Sequence, residues 1–381
     1  MDLSSTPEEE AFRREARAWL EANVPRQPLA SMDTAEGFEQ HREWERALHD
    51  GGWVAVSWPV EYGGRGADLI QWLIFEEEYW RAGAPGRVNQ NGVFLLGPTI
   101  MEFGTDEQKT RFLPRMASGA DIWCQGWSEP NAGSDLAGIR SRGVREGDEW
   151  VLTGQKTWCS RGAFADWMFG IFRTDALASA AESGGRAERH RGLTFILVPL
   201  DTDGVTVRPI AQLDGETGFA EVFLEAARVP VANTLGEEGR GWGVAMGTAG
   251  FERGVSLRSP ARFLTTARRL VALYRTVPAL HERAAVTQAW MDAEAYSLHT
   301  FWTVSRLLGG GTIGAEASLN KIFWSEMDLR MHETALRLLG EQHDDGWLDG
   351  FLFSLSGPIY AGTNEIQRNV IAERVLGLPR S

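Results

Sequence analysis

The spacing of apolar residues changes twice along the chain. From Glu8 to Leu20 apolar side chains recur at helical intervals, with Pro25 and Pro28 beyond the end, so the spacing predicts a helix there. Further helices are predicted over Thr34–Asp50, closed by Gly51-Gly52, and over Leu69–Arg81 and Thr105–Ser118, with a turn-rich loop from Trp58 to Gly66. Near Asp121 the pattern shortens. The runs Trp150–Leu152, Trp167–Phe172, Leu193–Val198, Gly204–Arg208 and Ala220–Leu224 stand between Gly, Asp and Pro turns, as strands of an all-β segment do. A small-residue and charged loop, Ala176 to Arg191, interrupts them. After Gly236–Gly241 the helical period returns. Leu319, Ile322, Phe323, Met327, Met331, Ala335 and Leu338 are expected on one stripe of a long amphipathic helix ended by Gly340. A last helix is predicted from Glu365 to Leu376, stopped by Gly377 and Pro379.

These stretches predict three domains: an N-terminal α-helical domain over residues 1–120, a middle β-domain over 121–233 and a C-terminal α-helical domain over 234–381. A single core rarely grows past ~250–300 residues, so 381 residues agree with several packed domains. The net charge of −14 argues against nucleic-acid binding, which needs clustered Lys and Arg, and against docking on anionic membranes. No apolar run approaches the ~18 residues of a transmembrane helix. The acidic, amphipathic start, MDLSSTPEEEAFRREARAWL, is unlike a secretory signal, and Cys124 and Cys159 supply no disulfide framework. A cytoplasmic protein is expected, with no nucleic-acid partner and no membrane association.

Most motif-like clusters have plain readings. Gly309–Gly314 fits GxGxxG by letter, but a helical segment precedes it where a nucleotide fingerprint needs a strand, so it reads as a loop between helices. The seven histidines form no HExxH pair, and Glu341, His343, Asp344 and Asp345 read as a solvated acidic loop, so no metal site is expected. The two cysteines read as small buried hydrophobes. More informative is the stretch from Gln125 to Gly138, a turn-rich loop whose hydroxyls and backbone N–H groups could cradle a polar ring edge or a phosphate. Some twenty residues on, Trp158 and Ser160 stand at i and i+2, which on a strand places both on one face. A Trp there could shield a flat ring while the hydroxyl bonds its edge. A sheet with satisfied polar groups accounts for the same residues, and both readings stand on the residues alone.

The run Ser128-Glu129-Pro130-Asn131-Ala132-Gly133-Ser134-Asp135 resembles the first signature of the acyl-CoA dehydrogenase family, with Trp127 where a smaller apolar residue is usual. Lys156-x-Trp158-x-Ser160 resembles the family's second flavin motif, and Ile359 to Pro379 its C-terminal motif. Tyr62-Gly63-Gly64-x-Gly66, Phe103-Gly104-Thr105-x-x-Gln108-Lys109 and Gly239-Arg240-Gly241-Trp242 fit as well, in family order and at family spacing. The resemblance implies a multi-domain α+β fold: an N-terminal α-domain, a middle β-barrel-like domain and a C-terminal four-helix bundle. It implies FAD as cofactor, held by Ser128, Trp158, Ser160, Gly362 and Thr363, and an acyl-CoA substrate met by Ser134, Arg253 and the backbone N–H of Ala361. The implied reaction converts an acyl-CoA to a trans-2-enoyl-CoA. Electrons would pass to an electron-transfer flavoprotein or a similar acceptor, in a homo- or hetero-oligomer, a dimer or tetramer.

Two departures from the family pattern stand out. Where many members carry the catalytic Glu before the Gly-Thr pair, this chain has Ala361, which cannot take a proton. The family's alternative position falls on Glu252 in Gly250-Phe251-Glu252-Arg253-Gly254, so the resemblance assigns Glu252 as the base; a helix-surface Glu in an ion pair is the plain reading of the same residue. In addition, Leu338-Leu339-Gly340-Glu341-Gln342-His343 replaces the usual QxxGGxG turn, and Arg275 only weakly substitutes for the usual Arg before Phe-Gly. Such departures resemble bacterial members acting on bulky acyl-CoAs, including steroid-degradation enzymes. Flavin-dependent oxidases or monooxygenases of the same fold, and a supporting subunit of a hetero-oligomeric dehydrogenase, are the alternative expectations.

Overall fold

The computed structural model describes residues 4–175, 189–252, 259–277, 279–342 and 346–379, with Glu252 and Leu280 described by backbone alone. Arg253, most of the loop predicted over Ala176–Arg191, and His343, Asp344 and Asp345 lie outside these residues. Contacts divide the chain into two compact units, one of residues 1–24, 67–84 and 252–381, the other of 25–66 and 85–251.

The first unit is helical. Helix α1 (Pro7–Asn23) opens with a capping box in which Thr6 and Glu9 exchange side-chain and backbone hydrogen bonds. Asp68 and Gln71 cap α3 (Leu69–Arg81) in the same way, over the residues that periodicity predicts. The long helices α7 (Pro260–Thr276), α8 (Arg283–Leu308) and α9 (Ala317–Leu339) pack around Phe263, Leu270, Ala293, Met327 and Met331, all buried. Short helices α10 (Trp347–Ser354) and α11 (Asn364–Val370) follow, and a π-turn over Ile371–Val375 takes up the rest of the predicted last helix.

The expected stripe on α9 holds only in its C-terminal half. Met327, Met331, Ala335 and Leu338 are buried, but Leu319 is 48% and Phe323 36% exposed. Lys321, Ser325 and Asp328 are buried instead. The reason lies in the neighbours at that level, which are polar: Asn364 bonds Lys321 and Ser325, and Arg262 bonds Asp328.

In the second unit, helices α2 (Ala35–Asp50), α4 (Gly97–Phe103) and α5 (Asp106–Ala117) accompany an eight-stranded sheet. The strands are β1 (Trp123–Gly126), β2 (Arg142–Glu146), β3 (Glu149–Ser160), β4 (Trp167–Arg173), β5 (Leu193–Pro199), β6 (Val205–Ile210), β7 (Phe219–Pro230) and β8 (Thr234–Leu235). Their order is β6-β7-β3-β2-β4-β5-β8, with β1 alongside β4 in parallel. The joint between β2 and β4 is the single pair Arg142–Arg173. The two cysteines are buried in the sheet's core with Trp150, Phe172, Ile196 and Val222. Helix α6 (Gly241–Glu252) starts against β5: a Cβ on Gly241 would lie 2.5 Å from the Phe195 nitrogen, so only glycine allows that approach. Among the described residues no helix is long and apolar enough to cross a membrane.

Candidate active site

In the sheet unit Ser128 and Ser134 lie on the loop that carries Glu129, and Trp158 and Ser160 on the strand that carries Lys156; Glu129 and Lys156 form a buried ion pair. Lys156 lies on β3 with no solvent exposure, and its ammonium donates to Glu129 Oε1 at 2.8 Å and to the Ile171 carbonyl at 2.7 Å. Glu129 also accepts the N–H groups of Arg140 at 2.6 Å and Ser141 at 3.0 Å. Burial alone would raise the Glu129 carboxyl; Lys156 and these donors more than offset it and hold the group below its ordinary range. Burial pulls the Lys156 ammonium down, against the attraction of Glu129. Glu129 and Ala132 exchange two backbone hydrogen bonds of 3.0 Å, which closes the turn that leads to Ser134. On the other side, the Thr157 N–H donates to the Ser128 carbonyl at 2.9 Å. The pair therefore joins the loop of Ser128 and Ser134 to the strand end of Trp158 and Ser160.

That strand end is not regular. The register between β3 and β7 shifts between Lys156 and Cys159, and Trp158 has φ +59°, a left-handed backbone. The expectation that Trp158 and Ser160 share a face by strict alternation thus fails. The extra residue lies before Cys159, so Trp158 itself stands in the bulge, while Cys159 and Ser160 pair regularly with Ala220 and Phe219. The bulge turns Trp158 outward: it is 59% exposed, while Cys159 beside it is fully buried and Ser160 half-buried. Ser128 is half-buried and Ser134 exposed.

In the helical unit, taken by itself, Ala361 and Gly362 lead into α11. Ala361 has φ +58° and Gly362 φ +80°, so two left-handed residues follow one another. The side-chain amide of Gln367 donates to both carbonyls, Ala361 at 3.0 Å and Gly362 at 3.3 Å. Thr363 caps α11, its hydroxyl accepting the Ile366 N–H at 3.2 Å. Asn364 is held by Lys321 at 2.7 Å and Ser325 at 3.2 Å, and donates to Glu326 at 3.2 Å. Arg262 hydrogen-bonds Tyr360 and pairs with Asp328 at 2.8 Å. Among the described residues the N–H groups of Ala361 and Gly362 have no backbone acceptor. Glu252 is the last residue of α6, and Arg253 lies outside the described residues.

Glu129, Lys156, Asn364 and Gln367 stand inside the motifs, which imply no role for them. Their signal was available: a Lys in a strand with buried neighbours needs a carboxylate, and Glu129 stands in the motif next to it in order.

The residues of the sheet unit fit a flat, polar-edged cofactor. Trp158 offers an exposed ring on its strand, and the buried indole N–H of Trp127, next to Ser128, has no acceptor among the described residues. In the helical unit, by itself, Gln367 Oε1 is buried with no donor among the described residues.

Comparison with known proteins agrees along the whole chain. Family models for the acyl-CoA dehydrogenase N-terminal, middle and C-terminal domains match residues 6–120, 124–227 and 239–376. The chain is 40% identical over 400 residues to acyl-CoA dehydrogenase IpdE1 of Mycolicibacterium smegmatis, covering 98% of each. It superimposes on a chain of the ChsE4-ChsE5 complex from Mycobacterium tuberculosis with a TM-score of 0.85, at 31% identity and 100% coverage of both. A chain of the Tcur3481-Tcur3483 steroid ACAD gives a TM-score of 0.84 at 28% identity, also with 100% coverage of both. With all three domain families matched in order and a relative this similar over its full length, the chain belongs to the acyl-CoA dehydrogenase family, FAD-dependent oxidoreductases that dehydrogenate acyl-CoA thioesters.

Proposed function

We propose that this chain dehydrogenates an acyl-CoA with a bulky, branched or ring-containing acyl group, and that Glu252 takes the α-proton. The observation that carries the base assignment is Ala361, a side chain without a carboxylate where many family members hold one. Glu252 occupies the alternative family position, at the end of α6.

Ser128, Trp158, Ser160, Gly362 and Thr363 would hold FAD. The chemistry FAD supplies when bound is acceptance of the β-hydrogen as hydride. The α-hydrogen of a thioester is weakly acidic, so its removal needs a polarised carbonyl. The Ala361 N–H is the donor for that oxygen, and the substitution of the side chain leaves it in place. Gln367 restrains the two carbonyls of this turn, which restricts how its peptide planes can rotate. Ser134 and Arg253 would meet the CoA arm.

The bulky acyl group is supported by the moved base and by the relatives, one of which is named a steroid ACAD. Two of these relatives are two-chain assemblies, so a hetero-oligomer with a second chain of this family is the reading for the partner. An electron-transfer flavoprotein or similar protein is the proposed acceptor. The divisions 1–120, 121–233 and 234–381 remain the working domains.

The test is anaerobic flavin bleaching against a panel of acyl-CoAs, with Glu252→Gln. Loss of a positioned base costs ~10²–10⁴-fold in rate. Flavin content and acyl-CoA affinity should stay close to the parent. A Gln variant that keeps more than about a tenth of the reduction rate would remove Glu252 as base. Adding Ala361→Glu to that variant should restore part of the rate. A steep preference for straight butyryl to octanoyl chains would remove the bulky-substrate reading.

A further inference from the structure

We propose that Arg262 is a positioning residue for the reaction: it holds the phenol of Tyr360 and so fixes the peptide plane from which the Ala361 N–H meets the thioester oxygen. The proposal rests on the reading of that N–H given above and adds what aims it. Every residue involved belongs to the helical unit.

The turn needs an external hold. Ala361 is not a glycine, yet it has φ +58°, and Gly362 follows at +80°. A left-handed non-glycine residue persists only where its surroundings over-determine it. On the far side of the turn, Gln367 holds the two carbonyls, and the Asn364 N–H donates to the Pro358 carbonyl at 2.8 Å. The Ala361 N–H belongs to the peptide that joins it to Tyr360, and it has no backbone acceptor among the described residues. Its direction therefore follows from how residue 360 is held. Tyr360 is held at ring and tip. Its ring centroid lies 5.8 Å from that of Trp324 and 6.4 Å from that of Phe353. Arg262 hydrogen-bonds its phenol.

Arg262 is itself fixed. It stands in the first turn of α7 and donates to Asp328 Oδ2 on α9 at 2.8 Å. Its guanidinium lies over the rings of Phe263, at 5.3 Å, and Phe353, at 5.5 Å, so Phe353 packs against both Arg262 and Tyr360. Asp328 is buried, and its other oxygen, Oδ1, has no hydrogen-bond partner among the described residues. His332 Nδ1 is 3.4 Å from that oxygen, but donates to the Asp328 carbonyl at 2.8 Å. Desolvation takes back most of what such a buried ion pair gains, so the pair is weak evidence for stability. The same helices bury Leu270, Met327 and Met331 against one another, and that packing calls for no charge. What the pair supplies is a guanidinium at a set place, with donors of its planar fork left for the phenol.

The test uses Tyr360→Phe, which keeps the ring and removes the oxygen, and Arg262→Lys, which keeps a charge beside Asp328 and loses the fork. Both are measured on the FAD-loaded protein. The probe is cinnamoyl-CoA with carbon-13 at the thioester carbonyl. It carries a ring and is already unsaturated, so it binds without turnover. Isotope-edited infrared spectra read how far its carbonyl is polarised, as a fall in frequency from the value in solution. The parent should lower the frequency, and each variant should give back part of that shift. The limiting rate of flavin reduction should fall about tenfold, a part of the ~10²–10³-fold that losing such a donor costs. Acyl-CoA affinity and flavin content should stay close to the parent. Because the arginine acts through the phenol, Arg262→Lys/Tyr360→Phe should be no slower than Tyr360→Phe. Variants that keep the parent's carbonyl shift and rate overturn the proposal, and so do effects that add in the double variant. A melting temperature that falls while the carbonyl shift stays marks a merely structural tyrosine and overturns it too. A parent that leaves the carbonyl at its solution frequency removes the Ala361 reading, and this proposal with it. A shift that depends on Arg262 and Tyr360, without bleaching by any acyl-CoA, removes only the proposed reaction.

Discussion

Two buried carboxylates, one in each unit, are held below their ordinary range by opposite designs. Glu129 in the sheet unit meets one ammonium, Lys156, with no solvent exposure, and its other bonds come from backbone N–H groups. Glu78 on α3 has a side chain only 2% exposed, but it meets three arginines whose bodies reach water. Arg17 donates twice, at 2.8 and 2.9 Å, Arg81 at 2.7 Å and Arg13 at 3.2 Å, and together they outweigh burial and bring the carboxyl to about 2. Among the described residues the single pair has one hydrogen-bonded cation. The triple one has three. The pair also lies between the residues read as flavin and CoA contacts, whereas the Glu78 cluster only ties α1 to α3. Redundant charge thus ties two helices, and a single ion pair joins the loop of Ser128 to β3.

Breaking the unique pair should have the largest effect. Lys156→Met strands a buried carboxylate, and such losses cost about 3–5 kcal/mol. Urea unfolding of the parent and variant measures it. A loss below ~1 kcal/mol would mean that water reaches Glu129 once the ammonium is gone. FAD affinity should fall as well, because the Ser128–Thr157 link depends on the same loop.

The second effect is a pH dependence from Glu78. Its folded pKa lies near 2, below the ordinary 4.5, so its stabilisation is present above pH 4.5 and is lost as pH falls from 4.5 towards 2. Screening by water at the half-exposed arginines limits the contribution to about 1–2 kcal/mol. Glu78→Gln should flatten stability in that window, seen by thermal melts between pH 2.5 and 5, and leave flavin reduction by acyl-CoA at pH 7 unchanged.

The smallest effect should come from one arginine of the cluster. Arg81→Met leaves two donors on Glu78, and partly exposed pairs are worth ~1 kcal/mol or less. A loss as large as that of Lys156→Met would erase the distinction between the two designs.

Local pattern carried much of the architecture. Thr6, Asp68 and Thr105 cap helices within one or two residues of where periodicity begins, because an N-cap is decided by a few neighbouring residues. The strands Trp167–Arg173 and Leu193–Pro199 match continuous apolar runs, since both are buried along nearly their whole length. Strand β2, exposed at four of its five positions, left no such run. The α9 stripe failed at Leu319 and Phe323 because the polar partners of Lys321 and Ser325 come from Asn364, some forty residues on.

By itself, then, the sequence determined the helix–sheet–helix order, the family and the types of residue in the motifs, all of which depend on local spacing and composition. Only the tertiary structure decided that a bulge turns Trp158 outward, that Lys156 closes on Glu129, that Gln367 holds the Ala361 turn, and that Arg262 meets Asp328 and Tyr360. Each of these depends on which distant strand or helix becomes a neighbour. Pairing across strands and burial of charge are set by the fold as a whole, and a local window does not contain that information.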